Sequence, residues 1–213
     1  KTALLKKVWA DLESRNWLCA YVSVKEAATL FETTKKIAEQ LSTNLSVLTI
    51  NADDTSVLSD YGAEKIIKVK NDKLNTFNAK AYADVVKQAI EKESANVIII
   101  DSSNNGLYLA PLVAVHLEAG FASNVVAAPS STAPFTVKRK AFSNKAFENT
   151  EIKTDKKVIG LAKNSFGLVE NKTSATEEDF SPSLGDADFN IKSTSVDKVK
   201  GQVTIADADI VVS

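Results

Sequence analysis

The chain has 213 residues, 44% of them hydrophobic, and its 26 Lys and Arg residues nearly balance its 27 Asp and Glu residues, for a formal net charge of -1. This size suits one α/β domain with a substantial core, and the balanced charge excludes the basic excess expected of a nucleic-acid-binding surface. Its one cysteine excludes an internal disulfide, and its apolar runs are too short for membrane insertion. With no recognisable signal peptide, we expect a cytoplasmic, bacterial location.

The first 120 residues alternate between helical and strand-like patterns. Apolar residues recur at helical spacing within 3–12. We then predict strands at 17–24, 46–50, 65–69 and 96–100 and helices at 27–41, 53–61, 78–94 and 107–118, the last one ending at Gly120. Strands that alternate with helices imply right-handed crossovers and a parallel sheet with helices on both faces.

After about residue 124 the rhythm changes, because strand-like pieces follow one another without helices between them. These pieces are 124–128, 135–142, 146–152 and 157–161, and we expect them to extend the sheet antiparallel at one edge. The polar stretch 171–188 is interpreted as an exposed loop or linker. The apolar stretch 204–213 reads as a final strand, which suggests that the natural protein continues beyond it. The predicted fold class is therefore α/β, a three-layer Rossmann-like and mainly parallel sheet in a single domain over 1–213.

One polar segment lies where open α/β sheets commonly bind ligands. Asp101 ends the predicted central strand, and it is followed by the candidate cofactor-binding residues Ser102, Ser103, Asn104, Asn105 and Gly106. Ligands gather at the carboxyl ends of such strands, and helix N-termini favour anions. The segment matches neither the Gly-rich dinucleotide pattern nor a Walker A loop. It is either a nucleotide or phosphate contact or, as we favour, a polar turn with a helix cap.

The remaining reactive side chains favour structural roles. His116 has no evident partner base or nucleophile, and one His and one Cys are too few for a typical metal site, so no catalytic or metal-binding residue is assigned. Cys19 falls in an apolar strand and is expected to be a small buried residue. Arg139 and its two lysine neighbours on a predicted hairpin, and the acidic residues 177–179, are expected to be solvated.

Four segments, taken in their order along the chain, resemble one family. They are 61–69 (YGAEKIIKV), 109–120 (LAPLVAVHLEAG), 137–147 (VKRKAFSNKAF) and 207–213 (DADIVVS). In order and spacing, they are similar to the N-terminal domain of the alpha subunit of electron transfer flavoprotein. Residues 1–16 have no clear counterpart.

The resemblance implies a partner beta subunit and an FAD bound mainly by a second domain that this chain lacks. It implies an electron carrier, not an enzyme, that takes electrons from dehydrogenases, for instance those of fatty acid oxidation, and passes them to a quinone oxidoreductase or another acceptor. Two positions depart from the family pattern: Leu112 stands where arginine is usual, and Asn144 where glycine is frequent in the hairpin turn. Asn tolerates positive φ, so the turn can form.

A rival interpretation is a stand-alone adenine-nucleotide-binding α/β module. Such a module would need a Gly-rich phosphate loop after the first strand. The sequence Lys-Glu-Ala-Ala at 25–28 offers none.

Overall fold

The computed structural model describes residues 16–20, 27–52, 54–162, 172–191 and 193–195. Short 3-10 turns at Asp72–Leu74 and Asp186–Phe189 supplement the regular elements. The regular elements are, in chain order, β1 (Asn16–Ala20), α1 (Ala27–Gln40), β2 (Leu45–Ile50), α2 (Val57–Asp60), β3 (Lys65–Val69), α3 (Ala79–Glu93), β4 (Ala95–Asp101), α4 (Asn104–His116), β5 (Gly120–Val125), β6 (Ser131–Thr132), β7 (Phe135–Ala141), β8 (Ala146–Glu151), β9 (Lys157–Leu161) and β10 (Thr176–Asp179).

The strands form one mixed sheet in the order β10-β3-β2-β1-β4-β9-β5-β7-β6, with β8 on the other edge of β7. Neighbours from β10 through β5 are parallel, and the β5–β7, β6–β7 and β7–β8 pairs are antiparallel. From β1 the chain first builds outward through β2 and β3, then crosses to β4 on the other side of β1. The carboxyl ends of β1 and β4 therefore flank a topological switch point.

Helices cover both faces of the sheet, which gives the three layers that the sequence predicts. One cluster of buried side chains joins Ile37 of α1 and Leu58 of α2 to the face of β4 that carries Ile99. The other joins Val86 of α3 and the inner side of α4 to the opposite face of β4, where Ile98 lies. β4 is buried on both faces because it runs through the centre of a parallel sheet, and its apolar run reflects that position.

The expectation of an antiparallel edge is confirmed for β7 and β8 but wrong for two other strands. β5 begins at Gly120, before the predicted residue 124, and runs parallel to β9, while β9 inserts between β4 and β5. Val158 and Ile159 of β9 are fully buried, one in each core cluster, as a central strand requires. The β7–β8 hairpin therefore comes before β9 in the chain but lies outside it in the sheet. No local sequence pattern indicates that β9 pairs with β4 and β5.

Helix α4 ends earlier than its sequence predicts. Its last turn closes at Leu117, and Glu118, not Gly120, is the residue that ends the helix, in a left-handed conformation (φ 51°). The N–H of Ala119 donates to the Ala114 carbonyl oxygen across this turn. Gly120 instead opens β5 beside Ile152 and Thr154, where a Cβ atom would lie 2.5 and 2.6 Å from their side chains.

The interpretation of 171–188 as loop throughout is wrong at Thr176–Asp179, which form β10 on the outer edge of β3. Ion pairs explain the docking of so polar a strand. Glu177 contacts Lys68 at 2.7 Å, and Glu178 contacts Lys65 at 2.9 Å and also Lys92. Glu177 and Glu178 are therefore partners of the sheet and not only solvated loop residues.

Acid is expected to weaken the docking of β10. Pairing of Glu178 with Lys92 and Lys65 lowers the pKa of its carboxyl to about 2, from an ordinary value of 4.5. Because the folded-state pKa is the lower one, the stabilisation from Glu178 is complete above pH ~4.5 and is lost as the pH falls toward ~2. Amide hydrogen exchange of β10, compared between wild type and Glu178→Gln across this range, checks the prediction. The difference between the two proteins should disappear at the acid end, and a Glu178 carboxyl that titrates near pH ~4.5 in NMR would contradict it.

Within the described part of the chain, no helix is long and apolar enough to cross a membrane.

Candidate functional site

The predicted site residues lie together at the switch point, where β4 passes into α4. Ser103 caps the helix: its backbone is extended, and its Oγ accepts a hydrogen bond from the Gly106 N–H at 3.1 Å. The Ser103 carbonyl oxygen accepts the N–H of Leu107 at 2.9 Å, which begins the helical ladder. Ser103 is buried, so its hydroxyl serves the helix and is turned away from solvent.

Gly106 allows the helix to rest directly on the end of β4. A Cβ atom at this position would lie 1.9 Å from the Asp101 carbonyl oxygen and 2.8 Å from Asp101 Oδ1. No side chain fits there, because the nearest obstacle is backbone. Glycine at this position therefore sets the distance between strand and helix.

The same distances place the Asp101 carboxyl group beside the first turn of α4. Asp101 is buried, with 7% of its surface exposed. A helix N-terminus carries a partial positive charge that favours an anion. An acidic side chain of the protein itself therefore lies beside this helix N-terminus.

The other predicted site residues differ in what they can offer to a ligand. The Ser102 N–H donates to the Leu161 carbonyl oxygen at 2.8 Å, which ties the turn to β9. Ser102 Oγ lies 3.6 Å from the position that a Cβ on Gly160 would take. Asn104 is exposed, and Ser102 and Asn105 are half-buried, so solvent reaches these three residues of the segment. The segment from Asp101 to Gly106 contains no Lys or Arg.

His116 has an acidic neighbour that its sequence context did not reveal. Its Nδ1 lies 3.1 Å from Oδ1 of Asp84 on α3. Burial raises the pKa of the Asp84 carboxyl, a hydrogen bond with Asp188 raises it further, and the charge of His116 opposes both. The group joins α3, α4 and the turn at Asp186–Phe189, three elements distant in sequence, so periodicity could not have found it.

The basic side chains of β7, Lys138 and Arg139, make contacts within the protein. Arg139 donates from Nε to the Ser123 carbonyl oxygen at 2.9 Å and contacts Glu148 at 2.5 Å. The Lys138 ammonium lies 4.6 Å from the centre of the Phe147 ring on the opposite face of the strand. The alternation predicted for this strand is confirmed, and Arg139 is half-buried instead of fully solvated. The turn contains Asn144 at φ 63°, a positive value that Asn tolerates.

Cys19 lies on β1, opposite Val47 on one side and Ile99 on the other. The described residues contain no group of three or more His, Cys, Asp or Glu side chains arranged to hold a metal ion.

Comparison with known proteins identifies the family. The model of a family described as "Electron transfer flavoprotein domain" matches residues 25–183. This match covers well over half of the chain. The chain belongs to the electron transfer flavoprotein domain family.

Three curated relatives share the same name. The chain is 28% identical over 152 residues to "Electron transfer flavoprotein subunit alpha" of Bacillus subtilis, covering 71% of this chain and 45% of the relative. It is 28% identical over 159 residues to the protein of that name from Megasphaera elsdenii (72% and 47%), and 25% identical over 122 residues to that from Clostridium acetobutylicum (56% and 35%). The chain thus spans about half the length of the first two relatives. These matches confirm the resemblance to the alpha subunit.

The switch-point residues do not fit the diphosphate of a flavin adenine dinucleotide. The Asp101 carboxyl group lies beside the first turn of α4, Ser103 Oγ is engaged as the cap, and Gly106 packs against the Asp101 carbonyl oxygen. A diphosphate would meet negative charge where it needs donors and cations. The assignment of Ser102 to Gly106 as cofactor contacts stays a prediction, which this geometry does not favour, and we derive no electron-transfer step through these residues.

Proposed function

We propose that this chain is the scaffold half of an electron transfer flavoprotein alpha subunit, which pairs with a beta subunit to form a flavin-containing electron carrier. The family match over 25–183 carries this proposal. In the proposal, FAD is bound mainly by residues outside this chain, and the sheet described above supplies support and a subunit interface. The carrier takes electrons from dehydrogenases and delivers them to a quinone oxidoreductase or another acceptor, in the bacterial cytoplasm.

The construction of the switch point supports a scaffold role. The Ser102 N–H ties the turn to β9, Ser103 Oγ caps α4, and Gly106 lets α4 pack directly on the end of β4. His116 and Asp84 form a His–carboxyl pair. Asp188 and Lys80 also influence the pKa of the Asp84 carboxyl. A nucleophile placed beside a base is the usual requirement for covalent catalysis, and this group has none. We therefore assign the chain no reaction of its own.

The rival, an adenine-nucleotide-binding module, rests on one observation: the turn after β4 lies at a topological switch point. The carboxyl group of Asp101 opposes it, because a nucleotide phosphate at this helix N-terminus would lie beside an acidic side chain. Calorimetric titration of the chain with AMP, ADP and ATP addresses the rival directly. Saturable nucleotide binding that is lost when Asn104 and Asn105 are replaced by alanine would favour the nucleotide-binding module.

The experiment that tests the proposal is co-expression of the full-length subunit with the beta subunit encoded in the same genome. Native mass spectrometry gives the composition of the complex, and visible absorbance gives its flavin content. The expected result is a one-to-one complex that carries stoichiometric flavin. The 213-residue chain expressed alone serves as the control and should remain colourless.

Either of two results would overturn the proposal. A full-length subunit that does not bind the beta subunit and carries no flavin would contradict the proposal. A 213-residue chain that retains flavin at stoichiometric level would show that the cofactor site lies within it.

A further inference from the structure

The segment 176–191, which begins with β10, lies against β3 and α3 and has an unusual composition. We call this segment the strap. It contains five acidic residues and no Lys or Arg. None of its residues is buried, and Phe180, Leu184 and Phe189 are only half-buried where they pack against the core on the α3 side of the sheet. The strap therefore contributes little buried apolar surface to the fold.

The surface beneath the strap is basic. In the described part of the chain, the lysines that pair with carboxyl groups of the strap are Lys65, Lys68 and Lys92 at β10 and Lys73 and Lys80 at the turn Asp186–Phe189. Their side chains are 25% to 64% exposed, so salt ions reach all of these pairs. One acidic side chain of α3, Asp84, faces Asp188 and opposes the attraction.

Hydrogen bonds to the backbone of the strap are distributed along its length. Gln88 on α3 accepts the Ser183 N–H and donates to the Ser183 carbonyl oxygen, both at 2.8 Å. Lys80 Nζ donates to the Ala187 carbonyl oxygen at 2.7 Å, and the Phe180 N–H donates to a carbonyl oxygen of β3 at 2.8 Å. The strap is thus held as one continuous segment, by polar contacts on two neighbouring elements.

We propose that the strap is an ionic latch, which opens as one unit when salt screens its charge pairs while the sheet and the helices remain folded. Segments with few buried apolar contacts open locally at a lower free energy than the core does. Each exposed ion pair contributes little by itself, so the latch depends on the number of pairs. An open latch leaves the outer edge of β3 unpaired, and the closed strap therefore covers a sheet edge that would otherwise be exposed.

Amide hydrogen exchange of the 213-residue chain, followed by NMR at about 0.01 M and about 1 M NaCl, tests the proposal, because the Debye length falls from about 30 Å to about 3 Å. The N–H groups of Phe180 and Ser183 report on the strap, and those of β4 report on the centre of the sheet. Both strap amides should exchange at least about tenfold faster at high salt, by the same factor, whereas β4 should not change.

A charge exchange between Lys68 and Glu177, whose Nζ and Oε2 atoms lie 2.7 Å apart, provides matched variants. Lys68→Glu and Glu177→Lys each place like charges together and should speed exchange of the strap at low salt by at least about tenfold. High salt should reduce this difference from the wild type. The double variant places opposite charges together again and should exchange within about threefold of the wild type. Circular dichroism checks that all three variants are folded.

Four results would overturn the proposal. Exchange of the strap that salt leaves unchanged or slows would show that its apolar side chains hold it. Equal exchange rates in the strap and in β4 would make the strap part of the global folding unit. Different salt responses of Phe180 and Ser183 would contradict opening as one unit. A double variant that exchanges as fast as the single variants would show that charge is not the cause. Neither the beta subunit nor flavin takes part in these measurements, so their outcome is independent of the proposed function.

Discussion

Replacing Gly106 with alanine is expected to lower the free energy of unfolding by about 3 kcal/mol or more. Helix propensity alone predicts the opposite sign, because alanine is favoured over glycine in a helix by about 1 kcal/mol. The steric effect wins because the new methyl group would lie 1.9 Å from the Asp101 carbonyl oxygen, and backbone cannot rotate away as a flexible side chain can. Either α4 must lift from β4 or the strand end must move.

Two other glycines provide a graded comparison, measured by urea unfolding with the slope checked for constancy. At Gly120 the new methyl group would meet side-chain atoms of Ile152 and Thr154, which can shift, so an intermediate loss is expected. At Gly185 the nearest atom, Oδ2 of Asp188, is 3.9 Å away and φ is −93°, so Gly185→Ala should change stability by less than about 1 kcal/mol. A Gly106→Ala protein as stable as Gly185→Ala would contradict the packing described at the switch point.

The sequence could predict those parts of the fold that local patterns determine. The bounds of β3 and β9 match their predicted ranges, and α3 starts where Asn78 provides a cap, its Oδ1 accepting the Lys80 N–H at 3.1 Å. Apolar periodicity and capping chemistry are local, so they survive in any tertiary context. The three-layer architecture follows from the alternation of these elements.

The order of strands could not be predicted in the same way. The sequence of 157–161 does not indicate that this strand lies between β4 and β5. Its pairing partners depend on burial across the whole sheet, which a local pattern does not contain. β10 illustrates a second limit. Its sequence, TEED, has low strand propensity, and it pairs because Lys65, Lys68 and Lys92 lie where Glu177 and Glu178 arrive. Those lysines belong to elements that are far away in the sequence.

The candidate site shows the same division. Its location after β4 followed from a general rule for parallel sheets, and the structure confirms that the turn lies at a switch point. The interpretation that the sequence favours, a polar turn with a helix cap, rests on a Ser before a helix, and Ser103 does cap α4. Only the position of the Asp101 carboxyl group against Gly106, a contact between two elements, indicates how the helix N-terminus is used.

The centre of the sheet should be the most sensitive part of the core. Ile98 has none of its surface exposed and packs on the side of α3 and α4. Ile98→Ala is expected to lower the free energy of unfolding by about 2–5 kcal/mol, and Ile98→Val by about 0.5–1.5 kcal/mol, because a larger cavity costs more. Ile191, which is 74% exposed, is the matched control, and its replacement by alanine should cost less than about 0.5 kcal/mol.

A companion substitution tests whether β4 separates two distinct cores. Ile99 is also fully buried, but it belongs to the cluster on the opposite face, with Ile37 and Leu58. If the two faces are independent, the losses from Ile98→Val and Ile99→Val should add within about 0.5 kcal/mol in the double variant. Chemical unfolding of the wild type, the two single variants and the double variant measures this. Strong coupling between Ile98→Val and Ile99→Val would contradict the central position of β4, because a buried strand with helices on both faces packs into a separate core on each side. A cost for Ile98→Ala no larger than that for Ile191→Ala would contradict it as well.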